Sequence, residues 1–305
     1  KSSKVKKVYK DIDWKKIEYS NLETDTLDDL NWARVDYKEA AKSKEFNINY
    51  ADWSEVNSAE SSYTKKVYKD INWKNINYSS LETDTLNDLD WAAVDYKEAV
   101  KSKSFNVNYA DWSEVNTAKS STIKKAYKYV DWEDVTYSSL EIETITEINW
   151  ARVDYKEAAK SENFNINYAD WSEINSAKSS YSKKVYKDIN WKKVDYSSLD
   201  ADTKTDLNWA KVDYKEATKA DDFDLDDVDF AEVNASKDAK SIYKRFDEEI
   251  LETASVDTLT GLSESGKLSS KQLETVDSLI EAKTTSIYLQ GFERKEFKSE
   301  TYFKS

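Results

Sequence analysis

An Asp or Asn followed by Trp, two variable residues and then Val or Ile recurs twelve times along this chain, with Phe230 in place of the last Trp. The spacings cycle through 18, 21 and 20 residues. Self-similarity at a fixed period is the signature of an array in which each unit completes its core against its neighbours. The unit here is 59 residues long and carries three signatures, at Trp14, Trp32 and Trp53, which return at Trp73, Trp91 and Trp112, at Trp132, Trp150 and Trp171, and at Trp191, Trp209 and Phe230. The array divides into four repeats, 1–59, 60–118, 119–177 and 178–236, and a non-repetitive segment, 237–305, reads as a helical C-terminal cap or assembly region. Four near-copies favour one array over several unrelated domains.

Within the first repeat the apolar positions run Ile12, Trp14, Ile17, Tyr19 and Leu22, then Leu30, Trp32, Val35, Tyr37 and Ala40, in alternating steps of two and three. A regular helix gives steps of three and four, and a flat strand gives steps of two throughout. A period of five describes two-residue strand contacts separated by corners. The stretches between are rich in good helix formers, as in 37–46 (YKEAAKSKEF) and 58–70 (SAESSYTKKVYKD), and 80–86 carries hydroxyls suited to capping a helix start. The fold expected is therefore a repeat solenoid of the α+β class, with coils of about 20 residues built from short parallel strands and short helices, three coils per repeat. A stack of purely helical hairpins is the alternative, which 3 Gly and no Pro do not exclude.

Segments such as Val35-Asp36-Tyr37-Lys38-Glu39 and Ala51-Asp52-Trp53-Ser54-Glu55 resemble pentapeptide-repeat proteins. That resemblance implies a square, right-handed β-solenoid of four pentads per coil. The alternation of one strand with one helix is similar to the logic of leucine-rich repeats. Aromatics at one position per coil would then stack at the strand spacing of roughly 4.8 Å, twelve coils making a rod of about 58 Å. The Asx residue before each aromatic would cap a turn by accepting backbone N–H groups.

Composition narrows the chemistry. There is no Cys and no His, so no disulfide, thiolate or imidazole is present to ligate a metal or act as a base near neutral pH. The remaining chemistry belongs to carboxylates, Lys and Tyr, and residues that appear four times over do not make the singular constellation of an active site; no enzyme is expected. A net charge of −14 disfavours nucleic acid as a partner. No run of 18 apolar residues occurs, so no membrane span is expected. With 11 Trp, 21 Tyr and 9 Phe in register, the chain is not a disordered polyelectrolyte.

Cofactors are not expected, with one candidate exception. The acidic stretch 221–229 (DDFDLDDVD) offers Asp224, Asp226, Asp227 and Asp229 as oxygen ligands for Ca²⁺, against the reading of a solvated acidic turn; the nearby DADTKTD lacks the Gly and terminal Glu of an EF-hand. The sequons at Asn77 and Asn234 are not maintained from repeat to repeat. Beyond residue 237, helices are expected over 241–254 and 269–282, the latter with Leu273, Val276, Leu279 and Ile280 on one face. Because Lys1-Ser2-Ser3 aligns with Lys178-Ser179-Ser180 inside a repeat, a processed or partial chain is expected.

The leading functional expectation is a non-enzymatic structural or adhesive repeat protein, a stiff rod or filament subunit at the cell surface or outside the cell, with self-association end to end or laterally. The alternatives are an intracellular protein-binding module or acidic DNA mimic, and binding of surface polysaccharide through an exposed Trp row.

Overall fold

The structure, a computed structural model, describes the backbone of residues 2–302 and the side chains of residues 4–289. Every regular element among the described residues is a helix, and no strand or sheet occurs, which overturns the α+β solenoid of parallel strands and with it the description of the chain as a strand solenoid. The five-residue step has a different physical origin. Signatures such as those at Trp14–Lys16 and Trp32–Arg34 open a short helical turn, closed by a bond from the third residue back to the Asx carbonyl: Lys16 N–H to Asp13 at 2.9 Å and Arg34 N–H to Asn31 at 2.9 Å. Tyr19–Asn21 forms a like turn, and the third signature of each repeat opens an α-helix, as at Trp53–Ser58. Two extended residues follow a short turn, such as Ile17 (φ −68°, ψ 129°) and Glu18 (φ −89°, ψ 82°), and then another turn begins. Three residues in a 3₁₀ turn and two in extended, polyproline-like backbone give the same total as a strand with a corner. Two residues are too few to build a ladder, and their backbone groups face no partner strand.

Longer helices interrupt the turns three times in each 59-residue period: Thr24–Asp29, Trp53–Ser58 and Ser61–Asp70 in the first, with counterparts at Thr83–Asp88, Trp112–Thr117 and Ser120–Tyr129. The stretch 37–46, read as one helix, is helical only at Tyr37–Ala40, because Lys42 and Ser43 close tighter bonds to Glu39 and Ala40 and the chain turns away. The helices read over 58–70 and 80–86 fall at Ser61–Asp70 and Thr83–Asp88.

Two compact units are present, Lys1–Phe164 and Asn165–Ser305. Within the first, successive repeats are joined by a recurring seam. Asn49 Nδ2 donates to the Ser80 carbonyl at 2.9 Å while its Oδ1 accepts from Glu82 N–H at 3.2 Å, and Asn108 does the same with Ser139 (2.8 Å) and Glu141 (3.2 Å). The Tyr68 hydroxyl donates to Asn57 Oδ1 at 3.1 Å and accepts from Asp90 N–H at 2.6 Å, repeated by Tyr127 with Asn116 and Asn149. Within the second unit, Asn167 bridges Ser198 and Asp200, and Tyr186 bridges Asn175 and Asn208. One repeat later Asp226 takes the place of Asn167 and accepts from Ser255 N–H at 2.9 Å, so the non-repetitive segment docks on the last repeat through the same position.

That segment contains Ala239–Tyr243, Glu248–Thr253, Val256–Glu264 and Ser270–Tyr302. The single helix expected over 241–254 is broken because Asp247 accepts from Ile250 N–H at 3.2 Å and starts a new helix, while Phe246 turns inward beside Tyr214, Phe230 and Tyr243. The helix expected over 269–282 runs on to Tyr302, and Gln272 Nε2 ties it down by donating to the Tyr243 and Phe246 carbonyls.

Candidate functional site

The eleven Trp side chains are buried, from Trp14 at 3% exposure to Trp112 at 0%, whereas Phe230 is half-buried. Each indole N–H donates to the carbonyl five residues upstream, at 2.8–3.0 Å: Trp14 to Tyr9, Trp32 to Leu27, Trp53 to Ile48, Trp73 to Tyr68, Trp91 to Leu86, Trp112 to Val107, Trp132 to Tyr127, Trp150 to Ile145, Trp171 to Ile166, Trp191 to Tyr186 and Trp209 to Lys204. Tyr19, Tyr78, Tyr137 and Tyr196 repeat the geometry by donating to the carbonyls of Trp14, Trp73, Trp132 and Trp191. The polar handle of each aromatic thus clamps the preceding turn, and the pentad is the length over which an indole reaches back. The aromatics do not stack at a strand spacing: Trp112 and Trp132 have centroids 6.2 Å apart and tilted by 40°, and tyrosines intervene, as Tyr68 does 5.5 Å from Trp53 and 5.8 Å from Trp73. Buried to this degree, the ladder has no exposed face for a polysaccharide.

The Asx residues divide according to the element they precede. Before an α-helix they cap: Asp52, Asp111, Asp170 and Asp229 accept from the backbone N–H of Glu55, Glu114, Glu173 and Glu232 at 2.7–3.1 Å. Before a 3₁₀ turn, Asp13, Asn31, Asn72, Asn149, Asn190 and Asn208 make no such side-chain bond. The four acids considered for Ca²⁺ go to four separate tasks. Asp224 accepts from Asp226 N–H, Asp226 holds Ser255, Asp227 pairs with Lys204 at 2.7 Å, and Asp229 caps. Among the described residues no group of three or more carboxylates is placed to hold a metal ion, and none of the helices is long and apolar enough to cross a membrane.

Two of the concave features of the first unit are grooves between ten-residue helices. One lies between Ser2–Asp11 and Ser61–Asp70 and encloses about 320 Å³; the next lies between Ser61–Asp70 and Ser120–Tyr129 and encloses about 710 Å³. Several lining positions differ between them, among them Val67 against Ala126 and Asp70 against Tyr129, and two bear on the cation. Arg34 extends into the first groove and lies 5.3 Å from the Tyr63 ring, whereas the equivalent residues of the second are Ala93 and Thr122. In the second unit the same position is Lys211, whose ammonium donates to Ser182 Oγ at 2.9 Å and Asn175 Oδ1 at 3.1 Å and lies 5.3 Å from the Tyr186 ring. Burial pushes the Lys211 ammonium below its ordinary pKa, the Glu232 carboxylate pulls it back up, and Lys183 adds a small further depression.

Repeat 2 also changes the carboxylate behind this groove. Glu55 accepts from both Trp32 N–H (2.8 Å) and Asn31 Nδ2 (2.9 Å), but in the next repeat Glu114 accepts from Trp91 N–H at 2.7 Å beside Asp90, which has no amide to donate. Burial raises the Glu114 pKa, the Trp91 N–H offsets part of the rise, and the charges of Asp90 and Asp111 add to it. A carboxyl whose folded pKa is raised favours the folded state while protonated, and that contribution is lost as pH rises through the folded value. Asp90→Asn is therefore expected to stabilise the protein at pH 7 by about 1 kcal/mol, raising Tm by roughly 2–4 °C, by removing a like charge and supplying a donor. The charge part of the gain is expected to disappear in acid, once Glu114 is protonated and no longer repels a neighbouring carboxylate. Thermal unfolding of both proteins at pH 7 and in acid checks the sign; an equal gain at low pH would exclude the charge as its source.

Comparison of the chain with family models, with curated proteins and with solved structures gives no match. The groove cations were missed in the sequence, although the repeat alignment carries the signal: Arg34, Ala93, Arg152 and Lys211 share one position in WAxVDYKEA.

Proposed function

We propose that this chain acts as a non-enzymatic helical-repeat protein with a structural role, spacing and self-associating at the cell surface or outside the cell. The observation that carries the reading is the seam. The same Asn and Tyr side chains join one repeat to the next at 59-residue intervals, and at the last repeat Asp226 holds the helical segment by the same position. Side chains committed to joining units of one pattern suit an extendable array rather than a reaction centre. Asn21 and Glu23 occupy in repeat 1 the positions that Ser80 and Glu82 present to Asn49, so the same seam would take up a further repeat, from the same chain or from a second copy.

Sedimentation velocity from about 1 µM to about 1 mM tests the assembly part. A sedimentation coefficient that climbs with concentration, and falls back when Glu23 is replaced by Pro to remove the bridged N–H, is expected; an unchanging monomer over the whole range would refute self-association.

A further inference from the structure

We propose that the groove of repeat 2 is a binding site for a primary alkylammonium group, which enters where Ala93 stops short and takes the place that Lys211 fills in repeat 4. This goes beyond the structural reading above and does not depend on it.

The chain builds such a site once with its own ligand inside. In repeat 4 an ammonium is held by an amide oxygen (Asn175), a hydroxyl (Ser182) and an aromatic face (Tyr186). One hundred and eighteen residues earlier the corresponding residues are Asn57, Thr64 and Tyr68, and all three line the cavity of about 710 Å³. Repeat 3 has Ile123 at the hydroxyl position, and in repeat 1 that position is Val5, so the complete amide, hydroxyl and ring set belongs to repeats 2 and 4. Thr64 donates to the Val56 carbonyl at 2.9 Å and keeps lone pairs to accept with. Asn57 donates its amide to the Asp88 carbonyl at 2.6 Å, which fixes the side chain with Oδ1 turned toward Tyr68.

The exchange of charge at the position next to the missing cation points the same way. The cavity is lined by Asp90 and Asp95, and Glu114 stands beside Asp90; in repeat 4 the residue equivalent to Asp90 is the neutral Asn208. Repeat 2 has thus gained a carboxylate at the place where it lost a cation. Four lysines, Lys65, Lys69, Lys119 and Lys125, also line the cavity; the counterparts of the first two are Lys183 and Lys187, and the Lys211 ammonium is held in repeat 4 with both present. An ammonium on a flexible alkyl arm satisfies all of this: three donors for Asn57, Thr64 and the carboxylates, and a methylene stem to lie over Tyr68 and Ala93.

Titration of the full chain with n-butylammonium, 1,5-diaminopentane and a lysine-containing peptide, monitored by isothermal calorimetry and amide NMR shifts, tests the site. Saturable binding at roughly millimolar strength is expected, as befits a ligand of few atoms. Asp90→Asn is expected to weaken it about three- to fivefold. Ala93→Lys, which reproduces the sequence of repeat 4, is expected to abolish it while leaving Tm unchanged or raised. Lys211→Ala is expected to add a second alkylammonium site, an outcome that does not depend on the behaviour of the Ala93 variant. Tighter binding of the diamine identifies a free polyamine as the occupant, and tighter binding of the peptide identifies a lysine side chain of a partner protein. Binding of n-butanol equal to that of n-butylammonium, or binding by Ala93→Lys as tight as by the unaltered protein, overturns the proposal.

Discussion

Replacing Trp112 by Ala is expected to destabilise the first unit by about 3–5 kcal/mol, enough to abolish cooperative folding there, because the side chain is fully enclosed and sits at a crossing of several aromatic contacts. Its ring lies 5.1 Å from Tyr127, 5.9 Å from Tyr96 and 6.2 Å from Trp132, so truncation opens a cavity that rigid neighbours cannot collapse into. Trp112→Phe separates volume from the indole donor. The Val107 carbonyl would lose the 2.9 Å bond from Nε1 but keep its bond from Ala110 N–H, so the expected cost falls to about 1–2 kcal/mol. Urea unfolding of the two variants measures both. If Trp112→Phe is as damaging as Trp112→Ala, the clamp outweighs packing; if it is silent, the recurring indole bond is a by-product of packing. The chain already contains one such replacement, at Phe230, where the bond is absent and the ring is only half-buried among Tyr243 and Phe246.

The sequence made the period and the register of the aromatics legible, because these depend only on which side chains are buried. It did not make the backbone legible. Trp14, Ile17 and Tyr19 are spaced three and two apart whether a strand turns a corner or a 3₁₀ turn opens into two extended residues, so burial alone cannot separate the two. The feature that favoured helix was composition: Lys, Glu and Ala fill the variable positions of the turns, as in Trp14-Lys15-Lys16 and Trp32-Ala33-Arg34, where a strand would carry β-branched residues. The seam was invisible for another reason. Asn49 and Tyr68 act on residues 22 to 33 positions away, and nothing local distinguishes an Asn that bridges repeats from the Asn31 that precedes a turn. The groove was half legible, since the Arg, Ala, Arg, Lys series stands in the alignment, but its meaning required the ring and hydroxyl that Lys211 meets.

The tyrosine hydroxyls offer the sharpest separation between the seam and the core. Tyr127 donates to Asn116 Oδ1 at 3.1 Å and receives the Asn149 N–H at 2.6 Å, so Tyr127→Phe leaves a backbone donor and an amide oxygen without that partner and is expected to cost about 2–3 kcal/mol. Tyr96 is as deeply buried, yet its hydroxyl has no hydrogen-bond partner, and burial drives its pKa well above the ordinary phenol value. Removing that oxygen deletes a desolvated polar group and leaves nothing behind, so Tyr96→Phe is expected to be neutral or stabilising by up to about 1 kcal/mol. The two variants delete the same atom from the same residue type within one unit, so chain entropy and ring packing cancel in the comparison. Unfolding free energies that differ by less than about 0.5 kcal/mol would mean that the inter-repeat hydroxyl bonds contribute no more than water does. A difference of about 2 kcal/mol or more assigns them the cohesion between repeats, and hydrogen exchange should then place the early opening in Tyr127→Phe at Asn149 and the turn after it.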